Sequence, residues 1–283
     1  MGAAQRIESI DDRLSNRNFE ALSQYIYDYS GIKMPITKST MLEGRLRRRL
    51  RATGISSLDA YCDFLFKQNG LATESTYLID AVTTNKTDFF REPKHFEYME
   101  QVALPEMVSA GHTRLRFWSS ACSTGAEPYT MAMVLEEFAA GNRDLSYQIL
   151  ATDLSTDVLE AAKRGIYPRD MVAPVPPYMK QKYVMLARDR SRNDVRIIPR
   201  LRAKVGFGRL NLMDDSYKVG DAMHMIFCRN VLIYFDKMTQ AKVLTRLCDR
   251  LLPGGYLFVG HSESVTGIPL PVKQVANTIF RKI

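Results

Sequence analysis

From Arg114 onward, apolar strand-like runs alternate with helical stretches, and no other feature restricts the fold of this chain as much. The expected strands are 115–119, 147–152, 223–228 and 256–259; the helices between them are 129–138, 156–163 and 239–252. Such alternation folds into a mostly parallel sheet covered by helices, an α/β domain. The helix from 239 is expected to stop at Pro253-Gly254-Gly255. Between Gly165 and Phe207 the alternation breaks. Pro174, Pro176 and Pro177 make a rigid turn, and strands at 182–186 and 195–199 flank the polar loop 187–194. That segment, about 166–208, is expected to be a small antiparallel β insert, with a further strand at 205–207.

The chain before this region is expected to be all-helical to about Thr84, giving two domains, 1–84 and 85–283. Phe19, Leu22, Ile26 and Tyr29 recur at helical spacing, and Gly31 suits a left-handed helix stop. A second helix is expected to open at Thr40, with Glu43 completing a capping box, and to end near Gly54. Leu42, Leu46 and Leu50 form its buried stripe. Further helices are expected at 58–66 and 74–82. Nearly every non-core position of the second helix is arginine: Arg45, Arg48 and Arg49 on one face, Arg47 and Arg51 on another. A face of like charge repels itself unless an anionic partner meets it. Arg45, Arg48 and Arg49 are therefore candidate partner-binding residues, and the net charge of +8 points the same way.

The segment from Thr83 to Pro93 mixes polar residues with the aromatic pair Phe89-Phe90. It is expected to be a linker packed on the second domain, with a helix opening at Pro93. Phe117 to Tyr129 has the pattern of a strand, a turn of small residues and a helix start. Small side chains let a backbone come close to a ligand. Pro128 suits a first helical turn, and Glu127 puts a carboxylate beside it. There is no GxGxxG, so a dinucleotide fingerprint is not supported. Asp153 closes the second strand roughly 30 residues later, placed to bind ribose hydroxyls; the alternative is a cap on the helix at Ser155. Arg229 and Asn230 stand at the C-terminal end of another strand, the edge where ligands sit in open α/β sheets.

Four cysteines, Cys62, Cys122, Cys228 and Cys248, are scattered without a CxxC pair. That argues against a zinc site and a disulfide framework, and for a reducing, cytoplasmic location. No apolar run approaches the roughly 20 residues that span a bilayer, and Met1 to Arg6 lacks the start of a signal peptide.

These blocks together resemble the bacterial chemotaxis receptor methyltransferases, the CheR family. The matching residues are Thr83 to Glu92, Ser123 to Tyr129, Ala151-Thr152-Asp153, Gly165-Ile166-Tyr167, Asn211-Leu212, Phe227 to Phe235 and Gly260 to Ser264. They stand in the family's order over nearly the whole chain. The resemblance implies a helical N-terminal domain, a Rossmann-like domain that binds S-adenosylmethionine (AdoMet), and a small β insert. It also implies esterification of glutamates on chemoreceptors, with S-adenosylhomocysteine as the product. The implied cofactor contacts are Asn85, Thr87, Arg91, Glu127, Asp153, Asn211, Leu212, Arg229 and Asn230, with Arg91 and Tyr234 nearest the methyl group and the target carboxylate. The implied partner is the helical cytoplasmic domain of a receptor, met by the arginine helix. Some family members grip a receptor's C-terminal pentapeptide with a glycine-rich loop on the insert. Here the loop 187–194 has no glycine and three arginines, so that tether is not carried over. A monomer, without a metal, nucleic acid or membrane insertion, is expected.

The residues leave other classes to weigh. The arginine helix suits nucleic-acid phosphates too. Amino-N-methylating enzymes usually carry an Asn/Asp-Pro-Pro-aromatic run, and the nearest match, Val175-Pro176-Pro177-Tyr178, lacks the amide or acid and lies in the insert. A non-catalytic AdoMet or nucleotide sensor is a second alternative, against which Arg91, Asp153, Asn230 and Tyr234 argue. A hydrolase lacks its GxSxG elbow. His261 is the competing catalyst, and Cys122 and Cys228 are expected to line the pocket rather than act as nucleophiles.

Overall fold

A computed structural model describes residues 12–189 and 191–283. The chain divides into two compact units, Met1–Thr84 and Asn85–Ile283. The described part of the first unit contains α1 (Asn16–Ser30), α2 (Ser39–Thr53), α3 (Leu58–Lys67) and α4 (Leu71–Val82). α1 begins where the Ser15 side chain accepts the Asn18 N–H, and stops at Gly31, whose φ of 73° is easy only for glycine. Phe19, Leu22 and Ile26 of α1 and Leu42, Leu46 and Leu50 of α2 are buried, as their spacing predicts. The capping box at Thr40 does not form. α2 runs straight out of a 3-10 turn, Ile36–Lys38, and Glu43 turns inward to accept the Leu14 N–H at 3.1 Å.

The arginines of α2 correct the expectation of an unmatched basic face. Arg49 grips Glu74 with two prongs (Nε 3.0 Å, Nη2 2.7 Å) and lies 4.5 Å over the Tyr77 ring. The Tyr61 hydroxyl donates to the same carboxylate at 2.9 Å. Arg45 donates to the Val82 and Thr83 carbonyls and to the Thr84 hydroxyl. Arg47 donates to the Asp12 carbonyl. A buried carboxylate and the bare carbonyls at the end of α4 need cationic donors, and these arginines supply them. Arg48 and Arg51 remain exposed.

The second unit opens with α5 (Lys94–Tyr98), a π turn at Met99–Ala103 and α6 (Leu104–Ser109). There follow β1 (Arg114–Ser119), α7 (Ala126–Ala140), β2 (Ser146–Asp153) and α8 (Thr156–Arg164). Then come β3 (Ile166–Pro168), α9 (Pro177–Tyr183), β4 (Val184–Leu186), β5 (Asp194–Ile197), α10 (Pro199–Arg202) and β6 (Val205–Arg209). The chain ends with β7 (Met223–Cys228), α11 (Lys237–Asp249), β8 (Leu251–Val259), β9 (Val272–Ala276) and β10 (Ile279–Lys282). Seven strands form one sheet in the order β6-β2-β1-β7-β8-β10-β9, parallel through β8 and antiparallel beyond it. β1, flanked by β2 and β7, is where the strand order reverses, so a crevice opens at the C-terminal ends of these strands. β7 is buried at every position, and Phe227 stacks on Phe258 of β8 at 4.3 Å.

Three sequence boundaries move. α11 ends at Asp249, and Pro253-Gly254-Gly255 lies inside β8, where the register against β7 shifts between Met223 and Met225. Proline has no N–H for the ladder and Gly254 takes a φ of 75°, so this run forms a bulge rather than a helix stop. The insert is a separate three-stranded sheet, β3-β5-β4, but β6, which the expected bounds of about 166–208 included, pairs with β2 in the large sheet. Lys182 and Tyr183 close α9, shortening the strand expected at 182–186 to β4. The β9–β10 hairpin was not foreseen. In the insert loop Arg190 lies outside the described residues, as does the Met1 to Arg6 segment. Among the described residues no helix is long and apolar enough to cross a membrane.

Candidate active site

The turn between β1 and α7 is held from two sides. The Tyr167 hydroxyl donates to the Thr124 carbonyl at 2.7 Å, and Asp153 Oδ2 accepts the Ser123 N–H at 2.8 Å. Ser123 has a φ of 49° and Gly125 of 91°. A Cβ on Gly125 would stand 2.9 Å from both the Ala162 Cβ and the Tyr167 hydroxyl, so only glycine fits there. Asp153 Oδ1 accepts the Ser155 N–H at 3.0 Å, an Asx turn that leads into α8. The Leu210 N–H donates to the Asp153 carbonyl, which sets Asn211 beside the end of β2. Asn211 Oδ1 accepts the Met213 N–H at 3.0 Å, while Leu212 is buried and its carbonyl accepts the Tyr217 hydroxyl at 2.8 Å.

The segment before α5 belongs to this same edge. The Asn85 carbonyl accepts the Ser123 hydroxyl at 2.7 Å, and the Phe90 N–H donates to the Thr130 hydroxyl at 3.2 Å. Phe89 is buried edge-on against Tyr167, ring centres 5.0 Å apart. These contacts tie Asn85 to the β1–α7 turn and Phe90 to α7; Thr87 between them is half-buried, and the Arg91 guanidinium donates to the Lys86 carbonyl at 3.0 Å.

Across the crevice, the Arg229 side chain at the end of β7 is only 1% exposed. Its Nη1 donates to Glu127 Oε2 at 2.9 Å, and its Nη2 to Glu92 Oε2 at 3.0 Å and to the Arg91 carbonyl. Phe96 and Phe227 lie 5.4 and 5.9 Å from the guanidinium carbon. Glu127 also accepts the Ser119 hydroxyl at 2.7 Å. Asn230, with a φ of 58°, donates through Nδ2 to Glu92 Oε1 at 3.1 Å. The loop behind it hangs on Glu263: Oε2 accepts the Asn230 and Gly260 N–H groups, Oε1 those of Leu232 and Ile233. Half-buried Tyr234 ends a 3-10 turn, Leu232–Tyr234, beside Ile233, which is 50% exposed.

Charge in this cluster is tuned by opposing effects. Burial pushes the Glu127 carboxyl up, and Arg229 only partly offsets it. Burial pushes Glu92 up as well, but the Asn230 hydrogen bond and the Arg229 charge outweigh that and hold it at about 2. Burial, helped by Arg229, takes His95 down to about 3 and so keeps it neutral at pH 7. His261 is exposed, its ring 5.0 Å from that of His95. Cys122 and Cys228 are buried with their thiols pushed up by desolvation, unsuited to nucleophilic attack at neutral pH.

The sequence-predicted residues of the second unit thus lie along the C-terminal edge of β1, β2, β6 and β7. Glu92 and Glu263, not singled out from the sequence, hold that edge together. Both lie in the matched blocks. What could have found them is their type: acids beside loops whose N–H groups have no ladder partner.

A Rossmann-like sheet with Asp153 at the end of β2 and Glu127 in the first turn of α7 fits the class of AdoMet-dependent methyltransferases, and the match to a SAM-binding domain shows it. Comparison with known families gives the particular one: the chain belongs to the CheR methyltransferase family. The family's SAM-binding domain matches residues 85–280 and its all-alpha domain residues 17–83. The chain is similar to the chemotaxis protein methyltransferase of Borreliella burgdorferi, 35% identical over 272 residues that cover 94% of this chain and 95% of the relative. It is 38% identical to that of Salmonella typhimurium over 267 residues, covering 94% and 90% of the two chains. With that of Escherichia coli it shares 38% identity over 256 residues, covering 89% and 85%. The protein is an AdoMet-dependent methyltransferase of the chemotaxis type.

Proposed function

We propose that this chain methylates glutamate side chains on the helical cytoplasmic domain of chemoreceptors, acting as a monomer in the cytoplasm. The observation that supports this best is the convergence of Asn85, Arg91, Glu127, Asp153 and Asn230 on one sheet edge of a CheR-family chain. Bound AdoMet supplies a methyl group on a cationic sulfonium. The donor set fits it. Asp153 and Glu127 offer carboxylates to its ribose hydroxyls and ammonium. The Ser120–Thr124 turn offers close backbone approach, and Asn211 and Leu212 border the same crevice. Arg229 faces inward, so in this reading its side chain acts through Glu127 and its main chain lines the pocket.

The target carboxylate, with a reference pKa of about 4.3, is already ionised at pH 7, so no general base is required. Opposite charges are lost on the way to the transition state, and a dry site favours that. The protein's task is therefore positioning and water exclusion. Arg91 orients the substrate without clamping the attacking oxygen, since a tight clamp would favour the ground state. Tyr234 hydrogen-bonds the non-attacking oxygen. Tyr234→Phe is expected to lower turnover about tenfold with AdoMet affinity unchanged, because the target carboxylate is no longer held in line with the methyl group. Equal turnover in the two proteins would take Tyr234 out of the mechanism.

The docking face in this reading shifts from the half-buried Arg45 and Arg49 to the exposed Arg48 and Arg51. The test is transfer of labelled methyl from AdoMet to receptor membranes. Wild type should deposit label that alkali releases as methanol, the mark of an ester. Arg48→Glu with Arg51→Glu should lose at least about tenfold of that label and keep AdoMet affinity. Alkali-stable label would refute the glutamate assignment; full labelling by the double variant would refute the docking face.

A further inference from the structure

We propose that Glu92 is a positioning residue for AdoMet binding, acting chiefly through Asn230, which it fixes at the cofactor edge without itself touching the cofactor. The inference rests on the site reading above. Glu92 joins three segments that have no ladder to hold them. Its Oε1 accepts Asn230 Nδ2 at 3.1 Å and the His261 N–H at 3.2 Å, and its Oε2 accepts Arg229 Nη2 at 3.0 Å. One carboxylate thereby ties the loop before α5 to the loops after β7 and β8. The backbone it secures is strained: φ is 52° at Phe90, 56° at Glu92 and 58° at Asn230. Such conformations persist only where surrounding bonds over-determine them.

His95 stands beside this carboxylate. Its Nε2 lies 2.8 Å from Thr278 Oγ1, and its Nδ1 is buried without a hydrogen bond, 3.5 Å from Glu92 Oε2. Glu92, His95 and His261 also bring ligand atoms within 4.8 Å, a spacing a metal ion could use. The guanidinium at 3.0 Å already supplies the cation of that cluster.

The test is a thermodynamic cycle in the full chain, read as AdoMet affinity by calorimetry and as kcat and KM on receptor membranes. Glu92→Gln keeps the shape but replaces one acceptor oxygen by a donor. It should raise the Kd for AdoMet about tenfold while kcat at saturating AdoMet stays within about twofold. In an Asn230→Ala background the same change should cost less than about twofold, because the residue through which Glu92 acts is gone. Glu92→Asp, which keeps the charge near Arg229, should recover part of the affinity, and it replaces Glu92→Gln in the cycle if that variant does not fold. An unchanged Kd, or equal factors in both backgrounds, would overturn the proposal. Failure of wild type to bind AdoMet would instead overturn the site reading on which it rests.

Discussion

Asp153→Ala is expected to raise the Kd for AdoMet by about 100-fold or more, the largest effect of any single change at the cofactor edge. Two losses add. The carboxylate that would face the ribose disappears, a charge-assisted pair of hydrogen bonds worth about 1.5–3 kcal/mol each. The Ser123 and Ser155 N–H groups also lose their acceptor, so the turn that shapes the pocket loosens. Asp153→Asn separates the two. Its amide oxygen still accepts one N–H, so it should fold as wild type and bind AdoMet with intermediate affinity. Calorimetric titration with AdoMet and S-adenosylhomocysteine, paired with thermal unfolding, reads both quantities. Wild-type affinity in Asp153→Ala would remove Asp153 from the cofactor site and leave it only its cap and turn roles.

The second large effect concerns stability. Arg229→Met should destabilise the second unit by about 3 kcal/mol at pH 7, because it leaves the largely buried Glu92 and Glu127 side by side without their shared cation. For a unit of this size that is a fall in Tm on the order of 10 °C. The deficit should shrink as pH falls. In wild type Glu92 is held at about 2, so its contribution is complete above the ordinary carboxylate range and is lost as pH falls through about 2. In the variant the two carboxyls lose the charge that held them down. They take up protons nearer neutrality, and the uncompensated charge goes with them. Urea unfolding at pH 7.5 and pH 5 checks this. A difference between the two proteins that does not change with pH would show that packing of Arg229 on Phe96 and Phe227, rather than its charge, is what the protein needs.

The division of what could be read beforehand follows the range of the interactions. Leu42, Leu46 and Leu50, or the apolar run of β7, announce burial by local periodicity, and local backbone geometry turns that into a helix or a strand. The strand expected at 205–207 was legible as a strand but not as a member of the large sheet, since pairing with β2 spans residues far apart in the chain. The Pro253-Gly254-Gly255 run carried a true signal of irregular backbone. Whether that irregularity ends a helix or bulges a strand depends on β7 lying alongside.

The same holds for charge. Composition showed an arginine-rich helix, but only the fold shows that Arg49 is spent on Glu74 and Arg45 on the end of α4, leaving Arg48 and Arg51 exposed. The motif blocks named Asp153, Glu127 and Asn230 because residue type and position at a strand end are local properties. Glu92 and Glu263 escaped because their work lies in their partners. Glu92 accepts from Arg229 and Asn230, and Glu263 accepts four N–H groups of two loops. By itself the sequence determined the family, most of the elements and the acids that stand along the strand ends. Tertiary structure decided which charges are neutralised inside and which stay exposed, because a buried ion is satisfied by neighbours in space, wherever they stand in the chain.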